Sequence, residues 1–209
     1  KKMKIKKMLV SELETNCYIL SDEETKEAVI IDPGDDGIVL MEYIDAEKLK
    51  VKYILNTHGH NDHVGNDDYM KEKTGALVAI HADDVDILTN PELYIVDDEI
   101  KAQSAPDIIL HNGDEIAFGK YKLTVLYTPG HTKGGVCFWE KEQKLCFSGD
   151  TLFRGTVGRT DLYGGDIEEL LKSVRERMAK ITDDTQMYPG HGPATTMGYE
   201  RKLNRYLRK

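Results

Sequence analysis

The chain has 209 residues, 40% hydrophobic and 31% charged, with a formal net charge of −9. That length is enough for one sizeable core, and the acidic balance sets the chain apart from proteins that hold nucleic acid or anionic membranes on a basic surface. No apolar run approaches the roughly 20 residues that a membrane-spanning helix needs.

Taken in order, Lys1 to Lys7 is the one basic cluster. No apolar segment follows it, so it does not read as a secretory signal; it reads as the start of an edge strand, Lys4 to Val10, whose lysines discourage pairing with a second molecule. Short apolar runs then predict strands at Cys17 to Leu20, Ala28 to Ile31, Val51 to Leu55 and Leu77 to Ile80. Short helices are expected at Ile38 to Ile44, Asp68 to Lys73 and Asp83 to Leu88. Asn90 to Asp107 is the longest irregular interval, either a lid or a surface loop. Further strands follow at Ile108 to Leu110, Glu115 to Phe118, Tyr121 to Tyr127, Val136 to Trp139, Lys144 to Phe147 and Gln186 to Tyr188. The clearest helix is Ile167 to Ile181, apolar on one face, with Asp166 as N-cap and Glu169 as its capping-box partner. A last helix is expected from Thr196 to Leu207, with Tyr199, Leu203, Tyr206 and Leu207 inward. The order fits an α/β fold in which two sheets are each covered by helices on one outer face. No Pro-, Gly- or Ser-rich linker divides the chain, so residues 1–209 are expected to form a single domain. Cys17, Cys137 and Cys146 lie in apolar stretches without Cys-x-x-Cys spacing; they read as buried free thiols and point to the cytoplasm.

The densest chemistry lies in Thr57-His58-Gly59-His60-Asn61-Asp62-His63. Imidazoles and a carboxylate bind borderline divalent metals at neutral pH, and crowding them has little value for a core. Three later strands end in glycine-containing turns that present the same side-chain types: His131 after Pro129-Gly130, Asp150 after Ser148-Gly149, and His191 after Pro189-Gly190. Loops at strand ends are where sites are commonly built. The seven candidates, His58, His60, Asp62, His63, His131, Asp150 and His191, exceed what one tetrahedral ion takes. They suit two ions sharing one carboxylate and one hydroxide, with Asp150 as the bridge. Lone His81 reads as a hydrogen-bonded structural residue and His111 as exposed. Thr151 and Tyr188 neighbour candidate ligands in sequence, and support of those ligands and plain packing explain them equally well.

This combination resembles the metallo-β-lactamase-fold hydrolases, from Asn16-Cys17-Tyr18 to Pro189-Gly190-His191-Gly192-Pro193. Within them it is most similar to the glyoxalase II-like, short-chain group, on Thr15 to Tyr18, Ile30-Ile31-Asp32-Pro33-Gly34, Ser148 to Gly155 and Gly158 to Asp161. The resemblance implies an αββα four-layer sandwich. It also implies a first ion on His58, His60 and His131, a second on Asp62, His63 and His191, and Asp150 between them. It implies a hydroxyacylglutathione hydrolase-like thioesterase that uses a metal-bridging hydroxide. Zinc is the expected metal; iron and manganese suit the same donors. The expected partner is a small-molecule thioester or ester, with no nucleic acid and no membrane expected. Asp62 and Asp150 are the catalytic candidates, and Arg159 is the candidate for meeting an anionic part of the substrate. Asp rather than Cys at 150 points away from thiolate-type β-lactamases. Thr160 and Asp161 stand where the glyoxalase II pattern has aromatics. Two rival readings share the fold: a mononuclear-iron persulfide dioxygenase on His58, His131 and Asp150, and a nuclease or phosphodiesterase.

Overall fold

A computed structural model describes residues 2–208. The chain runs β1 (Lys4–Val10), β2 (Thr15–Ser21), β3 (Glu27–Ile31), α1 (Gly37–Ala46), β4 (Lys50–Leu55), α2 (Asn61–Val64), α3 (Asp67–Thr74), β5 (Leu77–His81), α4 (Val85–Thr89) and β6 (Ile108–Leu110). It continues with β7 (Glu115–Phe118), β8 (Tyr121–Tyr127), β9 (Val136–Glu140), β10 (Leu145–Gly149), β11 (Leu152–Phe153), β12 (Thr156–Val157), α5 (Ile167–Lys172), β13 (Gln186–Pro189), β14 (Thr195–Thr196) and α6 (Met197–Leu203). One sheet has the order β1-β2-β3-β4-β5-β6 and the other β14-β13-β10-β9-β8-β7, with β11 and β12 as a separate hairpin. The lysine-rich first strand is an edge, as its sequence suggests.

Period-two alternation builds the layers. On β2, Tyr18 and Leu20 face the other sheet, where they join Leu123, Phe138 and Phe147 in the central core. Their neighbours Cys17 and Ile19 face outward and pack with Leu40 and Ile44 of α1 and Met70 of α3. On the second sheet, Cys137, Cys146 and Met187 meet Leu170, Val174, Met178 and Met197. Helices therefore cover the outer face of each sheet, and the architecture is the αββα sandwich. The three thiols are buried and free, and Trp139 packs half-buried on the outer face of the second sheet. Among the described residues no helix is long and apolar enough to cross a membrane.

Three helical expectations need correction. The helix starting at Ile167 is α-helical only to Lys172; residues 173–177 widen into a π turn. The reason is local: Ser173 Oγ donates to the Pro129 carbonyl at 2.7 Å, and Arg177 reaches back to Ser173 Oγ at 2.9 Å and to the Glu169 carbonyl at 3.2 Å. Asp166 does cap the helix, accepting from the Glu168 and Glu169 amides, but Glu169 forms no capping box because its carboxylate pairs with Arg177 at 2.8 Å. The last helix stops at Leu203. Beside the apolar Met197 its buried side is polar: Glu200 accepts from Gly155 N and Thr195 Oγ1, and Asn204, just past its end, donates to the Thr156 carbonyl, so the helix holds the β11–β12 hairpin. Tyr199 and Leu203 are exposed instead of inward, while Tyr206 and Leu207 pack against the outer cluster. Asp83 and Asp84 belong to a short 3-10 turn, and α4 starts after them at Val85.

Candidate metal centre

The seven ligand candidates lie at one edge of the sandwich, on turns that follow strands and, for Asp62 and His63, on the short helix α2. β4 leads into His58, β8 into His131, β10 into Asp150 and β13 into His191. β10 and β13 are parallel, with Gly149 opposite Pro189, and Gly190 N donates to Gly149 O at 2.8 Å. That register sets Asp150 beside His191. The two sheets are tied at the same edge, where Val136 N donates to Thr57 O at 2.9 Å.

His58, His60 and His131 form one group, and Asp62, His63, Asp150 and His191 another; within each group the donor atoms lie within 4.8 Å of one another. In the first group His60 Nδ1 faces His131 Nε2 at 3.1 Å. In the second, Asp62 Oδ2 is 3.2 Å from His63 Nε2 and 3.1 Å from His191 Nε2. Asp150 joins them: Oδ2 lies 3.8 Å from His58 Nε2, 3.5 Å from His131 Nε2 and 3.5 Å from His191 Nε2, while Oδ1 lies 3.3 Å from His63 Nε2.

The outer hydrogen bonds decide which ring nitrogens carry lone pairs. His131 Nδ1 donates to the Arg159 carbonyl at 2.7 Å, His191 Nδ1 to the Leu13 carbonyl at 3.1 Å, and His63 Nδ1 to Asp32 Oδ2 at 2.8 Å. Thr57 Oγ1 donates to Asp32 Oδ2 at 2.6 Å, so it can only accept from His58 Nδ1 at 3.0 Å. Each of these four rings thus turns Nε2 toward the centre. Two atoms that face it, His58 Nε2 and Asp150 Oδ1, are buried without a hydrogen-bond partner among the described residues. Buried polar atoms are rarely left so, and a divalent cation would satisfy both. The donor set of imidazoles and carboxylates fits such ions.

Charge leads to the same reading. Burial opposes a charge on His63 and His191, yet Asp150, Asp62 and Asp32 raise the former well above the usual histidine range. Hydrogen bonds to Asp150 and Asp62 raise the latter to about 9. Burial, with His131 beside it, lowers His60 to about 3. Without metal, protons on His63 and His191 take the place of cations. A metal must displace them, so affinity is held back below pH 9 and rises as pH climbs toward it, with proton release. Titration calorimetry of zinc into metal-free protein, in buffers of different ionisation enthalpy, should read that release at pH 7 and lose most of the His191 contribution above pH 9. A pH-independent affinity between 7 and 9 would contradict it.

Residues that the motif does not contain hold the ligands. Asp32 is buried in the left-handed region at φ 56°, a costly conformation for a non-glycine residue, and accepts from Thr57 N, Thr57 Oγ1 and His63 Nδ1. Buried Asp84 accepts from Gly59 N, Thr132 Oγ1 and Gly134 N at 2.7–2.9 Å, clamping the His58-x-His60 turn to the His131 loop. Burial pushes its carboxyl up to about 6 despite those bonds. Asn16 Nδ2 and Tyr18 hydroxyl donate to the Pro189 carbonyl, fixing the His191 turn. The Thr15-Asn16-Cys17-Tyr18 stretch was the available signal for that anchor. Thr151 instead hydrogen-bonds Thr128, Tyr188 stacks on Phe147, and His81 accepts from Asp83 N and stacks on Tyr127. His111 is exposed.

Gly190 has no room for a side chain: a Cβ there would lie 2.3 Å from Asp150 Oδ1 and 2.7 Å from His63 Cε1. Gly190→Ala should therefore displace Asp150 and lower metal affinity by about 10-fold or more while the far core stays intact. Metal content after dialysis, set beside a near-UV spectrum, checks this; full metal retention would contradict it.

A cavity of about 470 Å³ opens onto the cluster, lined by Leu13, Tyr94, Ile95, Phe153, Arg159 and Leu162 besides the ligands. Tyr94 and Ile95 give the Asn90 to Asp107 interval a place at the site. The Tyr94 ring lies 4.6 Å from that of His60, and its hydroxyl accepts from Asn61 N at 2.7 Å. Arg159 lines the mouth, but its guanidinium is engaged bidentately by Asp161 at 2.7 and 2.8 Å.

A sequence profile of the metallo-beta-lactamase superfamily matches residues 10–191. Hydroxyacylglutathione hydrolase GloC of Haemophilus influenzae is 34% identical over 215 residues, covering 98% of each chain. Among solved structures, the B3 metallo-beta-lactamase BLEG-1 superposes with a TM-score of 0.92 at 34% identity, over 99% of this chain and 100% of its own. ETHE1 from Myxococcus xanthus superposes with a TM-score of 0.82 at 26% identity, over 97% of this chain and 84% of its own. The chain belongs to the metallo-β-lactamase superfamily of metallo-hydrolases.

Proposed function

We propose that the protein is a dinuclear metal-dependent thioesterase of the glyoxalase II-like type. The carrying observation is that a carboxylate reaching both ligand groups sits at the floor of a cavity whose remaining walls offer no ready proton donor. When bound, a pair of divalent ions supplies a water ionised near neutral pH and a Lewis acid for the carbonyl oxygen. His58, His60 and His131 would hold one ion, Asp62, His63 and His191 the other, and Asp150 would serve both. Asp62 accepts from Thr15 Oγ1 at 3.0 Å. Burial opposes its ionisation, but His63 and His191 hold it well below the usual carboxylate range, so it is a weak base and serves to hold and orient. Burial pushes the Tyr94 hydroxyl up to about 12, which makes it a poor acid. A thiolate, with a pKa of roughly 8.5, leaves without protonation, whereas an amine or alkoxide does not. The same argument ranks thioesters above the β-lactams suggested by the likeness to BLEG-1.

Chain loaded with zinc, iron or manganese should release thiol from S-lactoylglutathione or a simpler thioester, lose that activity in chelator and regain it on metal return. His60→Ala should abolish it in a folded protein. Turnover undiminished in chelator would refute the reading. A second reading, motivated by the likeness to ETHE1, is a mononuclear-iron persulfide dioxygenase on His58, His131 and Asp150. Oxygen uptake with glutathione persulfide at one iron per chain would replace the thioesterase reading. The proximity of Asp62, His63 and His191 to that triad favours two ions.

A further inference from the structure

The cavity walls beyond the candidate ligands are largely apolar, and a depression bordered by acids adjoins them on one side. Leu13, Tyr94, Ile95, Phe153 and Leu162 face the space above the candidate ligands, and Arg159, the one Lys or Arg among the described residues that lines it, pairs with Asp161. A second depression of about 350 Å³ shares Leu13, Asp62, Tyr94 and Ile95 with the first; Glu12, Asp35, Asp97 and Glu99 border it. These four acids are exposed. A substrate approaching the cluster thus meets fixed negative charge on the Asp62 side and a neutralised pair on the Arg159 side.

Building on the thioesterase reading, we propose that the natural substrate is a thioester whose thiol half is uncharged and whose acyl half is apolar, and that the site discriminates against anionic thiols such as glutathione. Glutathione carries more carboxylates than ammonium groups, so the adjoining acidic depression repels it, and the Nε–Nη2 edge of Arg159 that would grip a carboxylate bidentately is already held by Asp161. Apolar acyl carbons gain by leaving water against the leucine, isoleucine and phenylalanine walls. Like-charge contact is the usual means of excluding a wrong partner.

The test separates recognition from chemistry. Zinc-loaded full chain is titrated calorimetrically with two non-hydrolysable thioethers, S-hexyl-N-acetylcysteamine and S-hexylglutathione, at low and high salt. The neutral thioether should bind at least about tenfold tighter at low salt, and the gap should narrow at high salt as the acidic depression is screened. Asp161→Asn frees Arg159 and should raise affinity for S-hexylglutathione by about threefold, the scale of an exposed ion pair. Equal or tighter binding of S-hexylglutathione to the unaltered chain overturns the proposal. Cleavage of the matched hexanoyl thioesters is followed in parallel. If the neutral thioether binds preferentially but neither thioester is cleaved, the pocket chemistry stands and the thioesterase reading falls.

Discussion

Asp150→Ala should lower thioester turnover by at least about 10³-fold and remove tight metal binding, while the sandwich stays folded. Its Oδ2 faces His58, His131 and His191, and its Oδ1 faces His63, so one side chain serves both ligand groups. No other carboxylate can take over: Asp62 faces His63 and His191, and Asp32 is committed to Thr57 and His63. Burial disfavours the Asp150 charge, yet His63, His191 and His58 keep the carboxyl well below its usual range, so it is anionic and ready for a cation at neutral pH. Asp150 lies outside the apolar clusters, which is why its loss should leave the circular dichroism unchanged. Asp150→Asn, similar in shape but uncharged, should fail nearly as badly, because charge and two free oxygens are what two cations need. Metal analysis and kcat/KM on both variants check this. Activity within about tenfold of the parent, with metal retained, would mean that the two donor groups work independently.

The clustering of the candidate ligands was legible because its signal is local. Four of the seven fall between His58 and His63, and the others follow apolar strands and glycine turns that any β-rich reading marks. The strands were legible for a related reason: each is buried on two faces or one, and hydrophobic runs report burial directly. What stayed hidden depends on contacts between distant segments. Asp32 stands in a stretch that carries the family resemblance, but its role rests on Thr57 and His63, which lie far along the chain. Asp84 reads as a helix-start acid, yet three donors from two loops converge on it. In the last helix, helical spacing alone points Tyr199 and Leu203 inward, whereas the fold buries Met197 and Glu200, and Glu200 with Asn204 holds the β11–β12 hairpin. Arg159 is expected from sequence to meet an anionic part of the substrate, whereas its pairing with Asp161 is a matter of side-chain geometry.

The second large effect is expected at Asp32, which touches no part of the cavity. Its Oδ1 accepts from Thr57 N at 2.8 Å, and its Oδ2 accepts from both Thr57 Oγ1 and His63 Nδ1. Through Thr57 it sets the His58 ring, and directly it sets the His63 ring, so one residue orients a ligand in each group. Asp32→Ala should weaken metal binding at both positions by about 10- to 100-fold, the usual cost of losing an outer partner of a ligating histidine. Asp32→Asn should be no milder. An NH₂ in place of Oδ1 would confront the Thr57 N–H, which cannot turn away. The amide therefore places NH₂ at the Oδ2 position, and the hydroxyl of Thr57 rotates. His63 then has to accept at Nδ1 and carry its proton on Nε2, the atom aimed at Asp62 and Asp150. A ring in that tautomer cannot ligate. Thr57→Val should weaken only the group containing His58. Competition with a chromophoric chelator gives the affinities, and ¹⁵N shifts of the His63 ring report the tautomer. Parent-like affinity in the Asn variant, with Nε2 still unprotonated, would show that the ligand rings are set by packing alone.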